Sequence, residues 1–117
     1  MTREELQSRL LKFVLRVFRL IEALAKSAVG RAVGGQLARS APSSAANYRA
    51  ACRARSKAEF ISKMAVVVEE ADETAFWLDL VADAKIVSAA SMSALHDECE
   101  ELLKIFSSSL ATAKANR

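Results

Sequence analysis

Apolar residues return every three to four positions along almost the whole chain, and only three glycines and one proline interrupt them. A helix turns once in 3.6 residues, so this recurrence puts the apolar side chains of each stretch on one face. A sheet protein of 117 residues would need many turns and alternating apolar runs, and the sequence offers neither. The length allows one domain with one modest core. Alanine supplies 23 of the 61 apolar residues, which favours helix and lets helices approach closely.

Four segments carry the pattern. The first is predicted over about residues 2–25, opening at Thr2-x-x-Glu5, which has the form of a capping box. The second covers about 27–54, with Gly34, Gly35 and Pro42 in its middle. Proline has no N–H to give Ala38, so a kink or break is expected just before residue 42. The third opens at a second capping box, Ser56-x-x-Glu59, and covers about 56–84. The fourth covers about 88–113. Short connections between long helices imply an antiparallel, up-and-down four-helix bundle over residues 1–117.

The helical faces also predict how copies meet. On the first helix Leu10, Phe13, Val14, Val17, Leu20, Ile21 and Leu24 form a core stripe, and Leu11, Leu15 and Phe18 widen it to about 220°, when a bundle face needs little more than about 100°. On the third, Phe60, Met64, Val67, Val68, Ala71, Ala75 and Leu78 face the core, while Val66, Phe76, Trp77 and Leu80 fall on the other side. Clustered large apolar groups outside a core mark an interface. The two patches differ, so packing one on the other joins copies head to tail and closes a ring.

Charge is divided unevenly. Residues 1–63 carry a net +9 and residues 64–117 a net −6, within an overall +3. Arg9, Lys12, Arg16 and Arg19 lie in an arc of about 80° opposite the core face of the first helix, and Arg31, Arg39, Arg49 and Arg53 in a similar arc on the second. Such stripes suit salt-sensitive binding to a phosphate backbone, RNA or DNA, with little sequence preference. No aromatic residue is interleaved with them to stack bases. The alternative use is pairing, since antiparallel register brings Arg39 near the acidic run Glu69, Glu70, Asp72, Glu73.

No catalytic residue, metal or cofactor is expected. His96 and Cys99 share a helix face, but a structural zinc site wants four ligands, a di-iron bundle two Glu-x-x-His motifs, and a thiol nucleophile an orienting third group. None is readable, and the pair reads as a packed cysteine beside a rim histidine. Gly30, Gly34 and Gly35 match no phosphate-binding loop and read as points of close approach or flexibility. Ser40, Ser44 and Asn47 fall on the inward side of the second helix and need partners there. Arg16, Arg19 and Glu22 cut the apolar stretch Phe13 to Leu24, so neither a signal peptide nor a membrane span is expected, and two cysteines make no disulfide framework. The expected location is the cytoplasm.

Several motifs occur in a familiar order. Arg16-Val17-x-Arg19-Leu20, Gln36-Leu37-x-Arg39-Ser40-Ala41, Ala46-Asn47-Tyr48-Arg49-x-Ala51-Cys52-Arg53, Glu59-Phe60-Ile61-x-Lys63-Met64, Glu69-Glu70-Ala71-Asp72-Glu73-Thr74-x-x-Trp77-Leu78 and Glu100-Glu101-Leu102-x-Lys104-Ile105-Phe106 span nearly the whole chain. Together they resemble the bacterial 23S ribosomal RNA intervening-sequence proteins, with Pro42 a departure where many members have Thr. The resemblance implies an up-and-down four-helix bundle and a homopentameric ring with a central channel. It also implies kinship to the accessory variability determinant of diversity-generating retroelements, a basic pentamer that associates with a reverse transcriptase and nucleic acid. The function expected is thus a non-enzymatic oligomeric scaffold that binds nucleic acid or an enzyme acting on it. The alternative is a purely structural oligomer whose arginines pair between subunits.

Overall fold

The computed structural model describes all 117 residues and contains four helices and no strand: α1 at Arg3–Leu24, α2 at Ala28–Cys52, α3 at Lys57–Ala84 and α4 at Ala89–Ala115. Each helix starts beside a hydroxyl that accepts an otherwise free backbone proton. Thr2 Oγ1 takes it from Glu5 N at 3.0 Å, Ser27 Oγ from Gly30 N at 3.0 Å, Ser56 Oγ from Glu59 N at 3.0 Å and Ser88 Oγ from Ser91 N at 3.3 Å. Each cap contributes about 1 kcal/mol. The Glu59 carboxylate reaches back as a capping-box residue does, but one position further, accepting from Arg55 N at 3.2 Å. α3 ends at Lys85 in the left-handed region (φ 56°, ψ 36°), which releases the chain into the last connection.

Connections of three or four residues force neighbouring helices to run antiparallel. Packing is most extensive between α2 and α3, and α4 closes the bundle against α1 more loosely. The result is a rod of 46 × 21 × 21 Å, a length set by about 28 residues of helix rising roughly 1.5 Å each. The core holds the predicted stripes: Leu10, Phe13, Val14, Val17, Leu20 and Leu24 of α1 and Met64, Val67, Ala71, Ala75 and Leu78 of α3 are buried. Leu37 and Tyr48 of α2 and Phe106 of α4 fill the space between, with the rings of Tyr48 and Phe106 5.2 Å apart.

Two expectations meet a different outcome. α2 continues from Ala28 to Cys52 with Pro42 inside it, so the proline does not break the helix; Ala38, whose carbonyl loses its N–H partner, is exposed. Trp77, predicted to lie outside the core, is half-buried against it, edge-on to Phe76 with ring centroids 4.9 Å apart. A broad indole at the margin of a face reaches inward over the flanking residues, which angular position alone does not reveal. Its Nε1 is buried without a hydrogen-bond partner in the subunit.

The polar residues on the inner side of α2 are all satisfied. Thr74 Oγ1 lies 2.9 Å from Ser40 Oγ and donates to Glu70 O at 2.8 Å. A hydroxyl has one proton, so Ser40 supplies the one between them. Ser44 donates to Ala41 O and Asn47 to Ser43 O, both within α2. The Ser40–Thr74 pair is the only one of these bonds that joins two helices, and it fixes the register of α2 on α3.

Candidate functional site

The surface carries two kinds of unspent chemistry, apolar and cationic, and α1 provides much of both. Leu11, Leu15 and Phe18 are 58%, 56% and 40% exposed. They follow one another at four and three residues and so form a line, which borders a groove of about 440 Å³ between α1 and α2. Pro42, Ala45 and Ala46 make the opposite wall. The proline therefore lines an apolar surface, a role its reading as a helix breaker did not suggest. On α3, Phe76 and Leu80 are 55% and 41% exposed and Val66 is half-buried. Val66, Glu73 and Leu80 recur every seven residues and share the flank that meets α2, where Glu73 takes Arg39. α1 and α3 are diagonal in the bundle, so their apolar patches lie on different sides of the rod.

The eight predicted cations do not form one continuous platform. Arg9 grips Glu98 of α4 with two bonds, Nε to Oε2 at 2.8 Å and Nη2 to Oε1 at 2.6 Å. Arg39 holds Glu70 at 3.1 Å and also Glu73, both on α3. Arg31 donates to Ala25 O in the first connection. Arg49 borders the apolar groove, and Arg53 is exposed just beyond the end of α2. Lys12, Arg16 and Arg19 have no acidic partner within 4 Å, and Arg16 and Arg19 line a cleft of about 320 Å³ between α1 and α4 with Leu20, Ser91 and Leu95. The α1 stripe thus faces α4, while Arg39 of the α2 stripe faces α3. An arc drawn opposite a core face does not say which neighbour it leans toward, and that is why the stripes diverge.

The ion pairs have electrostatic consequences. The hydrogen bonds from Arg9 hold the Glu98 carboxyl below its ordinary value of 4.5, against the opposing effect of partial burial. Arg39 holds Glu73 down in the same way, although that pair lies in solvent and contributes little. A folded carboxyl with a lowered pKa stabilises the fold fully above its unfolded pKa, and the contribution drains away as the pH falls through the folded value. Replacing Arg9 by Met, which keeps the apolar stem, is expected to cost about 1 kcal/mol at neutral pH. Urea unfolding should show the gap from the native chain narrowing below pH 4.5; an equal gap at pH 7 and at about pH 2 would exclude the ion pair as its cause.

His96 and Cys99 part company in the structure. Cys99 points inward with its Sγ 3.8 Å from Ala71 O, and burial pushes the thiol up to about 12. It is protonated and unreactive at neutral pH. His96 sits at the surface near Asp79 of α3. Cys52 is half-buried at the end of α2 and unbridged. No helix is long and apolar enough to cross a membrane.

The sequence and the fold are similar to those of known proteins. The profile described as 23S rRNA-intervening sequence protein matches residues 5–108, nearly the whole chain. The chain belongs to the 23S rRNA-intervening sequence protein family. A solved structure of a protein of unknown function from the S23 ribosomal protein family of Bacteroides thetaiotaomicron is similar, with 28% identity and a TM-score of 0.83. The match covers 90% of this chain and 97% of that one. No curated protein matches. Membership of the 23S rRNA-intervening sequence protein family accounts for the four-helix architecture, and neither the family nor the solved relative carries a known activity.

Proposed function

We propose that the protein is a non-enzymatic scaffold: copies pack through the α1–α2 groove and the α3 flank, and the assembly presents Lys12, Arg16 and Arg19 to a polyanion, RNA or DNA. The observation that carries this reading is the pair of separate apolar patches, Leu11, Leu15 and Phe18 on α1 and Phe76 and Leu80 on α3, left open by a subunit whose core is already complete. Two unlike patches on different sides of a rod join head to tail, and a ring is the closed form of that contact. Five copies are the number the family resemblance implies. The divided charge supports the second half of the proposal, because Arg9 and Arg39 are held by acids of α4 and α3 while six of the eight stripe cations keep free charge. A reverse transcriptase is the protein partner that the resemblance to the retroelement accessory proteins implies.

Changing Lys12, Arg16 and Arg19 together to Glu tests the polyanion contact. Fluorescence anisotropy with labelled mixed-sequence RNA and DNA at about 50 mM salt should show affinity falling by tenfold or more, and the salt slope of log K shrinking by about three. Unchanged affinity, or no binding by the native chain at low salt, contradicts the contact. Dissociation of the oligomer by the same three changes supports the second reading, a structural assembly in which cations pair between subunits as Arg9 and Arg39 pair within one.

A further inference from the structure

The only histidine stands where two helices bring carboxylates to it. His96 Nε2 of α4 lies 2.6 Å from Asp79 Oδ1 of α3 and 3.9 Å from Glu100 Oε1, one turn further along α4. All three ligand atoms fall within 4.8 Å of one another. Two ligands on tetrahedral zinc, each about 2.0–2.1 Å from the metal, stand roughly 3.3 Å apart, so small rotamer changes close the set around one ion. The other ring nitrogen, Nδ1, has Asp97 Oδ1 3.6 Å away. That distance is too long for a hydrogen bond, so Asp97 adds negative charge beside the ring and does not set its tautomer. Asp79, His96 and Asp97 border an open surface cavity of about 410 Å³ to which Asp83 adds a further carboxylate, so the neighbourhood draws cations.

We propose that Asp79, His96 and Glu100 form a binding site for one divalent transition-metal ion of the zinc class, which clamps α3 to α4 near their connection. One imidazole with two carboxylates is a borderline donor set: magnesium and calcium prefer oxygen alone, and soft ions prefer thiolates. Zinc accepts both donor types and completes its shell with water on the exposed side. Cys99 takes no part, because its Sγ points to Ala71 O in the core. Residues 79 and 96 flank the connection at 85–88, so the ion ties together the two arms of the α3–α4 hairpin at a distance from the groove and the cationic cleft.

The test uses the untagged chain stripped of metal, titrated with zinc chloride by calorimetry and with cobalt(II) by visible absorption. One ion per chain is expected, with the intense d–d bands of cobalt in a site of four or five ligands. The unfolding midpoint should rise by roughly 10 °C at about 100 times the dissociation constant. His96→Ala and the near-isosteric Asp79→Asn should each weaken binding tenfold or more and remove the rise, while Cys52→Ser should leave both intact. Undiminished zinc binding by His96→Ala, loss of binding in Cys52→Ser instead, or a cobalt spectrum like that of the aqueous ion would each overturn the site.

Discussion

Gly30→Ala is expected to be among the most damaging single-methyl changes in the chain, lowering stability by about 3 kcal/mol, at the upper end of ordinary overpacking. A Cβ at position 30 would stand 1.9 Å from Leu24 O and 2.9 Å from Leu24 C and from Ser27 Oγ. The carbonyl belongs to the last residue of α1, so relief requires moving the helix end itself. A loss of that size is a large share of the roughly 5–15 kcal/mol that holds a domain together. Five residues on, the same chemical change has the opposite sign. Gly35 has open space where a Cβ would go, and Gly35→Ala is expected to stabilise α2 by about 0.5–1 kcal/mol. Urea unfolding followed by circular dichroism checks both, and a Gly30→Ala chain within 1 kcal/mol of the native one would mean the first connection is looser than described.

Leu15→Glu combined with Phe18→Glu is expected to reduce the proposed assembly to single subunits. Both side chains are already exposed in the subunit, 56% and 40%, so the changes should leave the fold nearly untouched. Between copies, two carboxylates would be taken out of water against an apolar face, at a cost of roughly several kcal/mol for each contact. Sizing with light scattering would show the mass falling to the 12.7 kDa of one chain while the helical circular dichroism signal persists. A mass unaffected by the double change would remove the α1–α2 groove from the interface.

Most of the fold was legible because it rests on local rules. The 3.6-residue recurrence marked the core stripes, and Thr2, Ser27, Ser56 and Ser88 marked the helix starts within a residue or two. Pro42 left open whether the second helix kinks or breaks, since the cost of a helical proline depends on whether the orphaned carbonyl can reach water, and exposure is a property of the bundle. Trp77 was placed too far outward for a related reason: angular position locates a Cα–Cβ bond and says little about where a large ring ends. The candidate site was legible in its residue types and only partly in its geometry. Arg39 could be set beside the acids of α3 from antiparallel register, whereas the Arg9–Glu98 pair joins residues 89 apart across the seam that closes the bundle. The Asp79–His96–Glu100 cluster was hidden in the same manner, since only the last two share a helix and Asp79 reaches them through the α3–α4 crossing.

One subunit leaves more apolar helix surface than it can hide, and other copies are proposed to cover it. Light scattering on the unmodified chain at micromolar concentration, coupled to sizing, tests this most directly. A single species of two or more whole copies of the 12.7 kDa chain is expected, five on the family resemblance. A monodisperse particle of 12.7 kDa would contradict it.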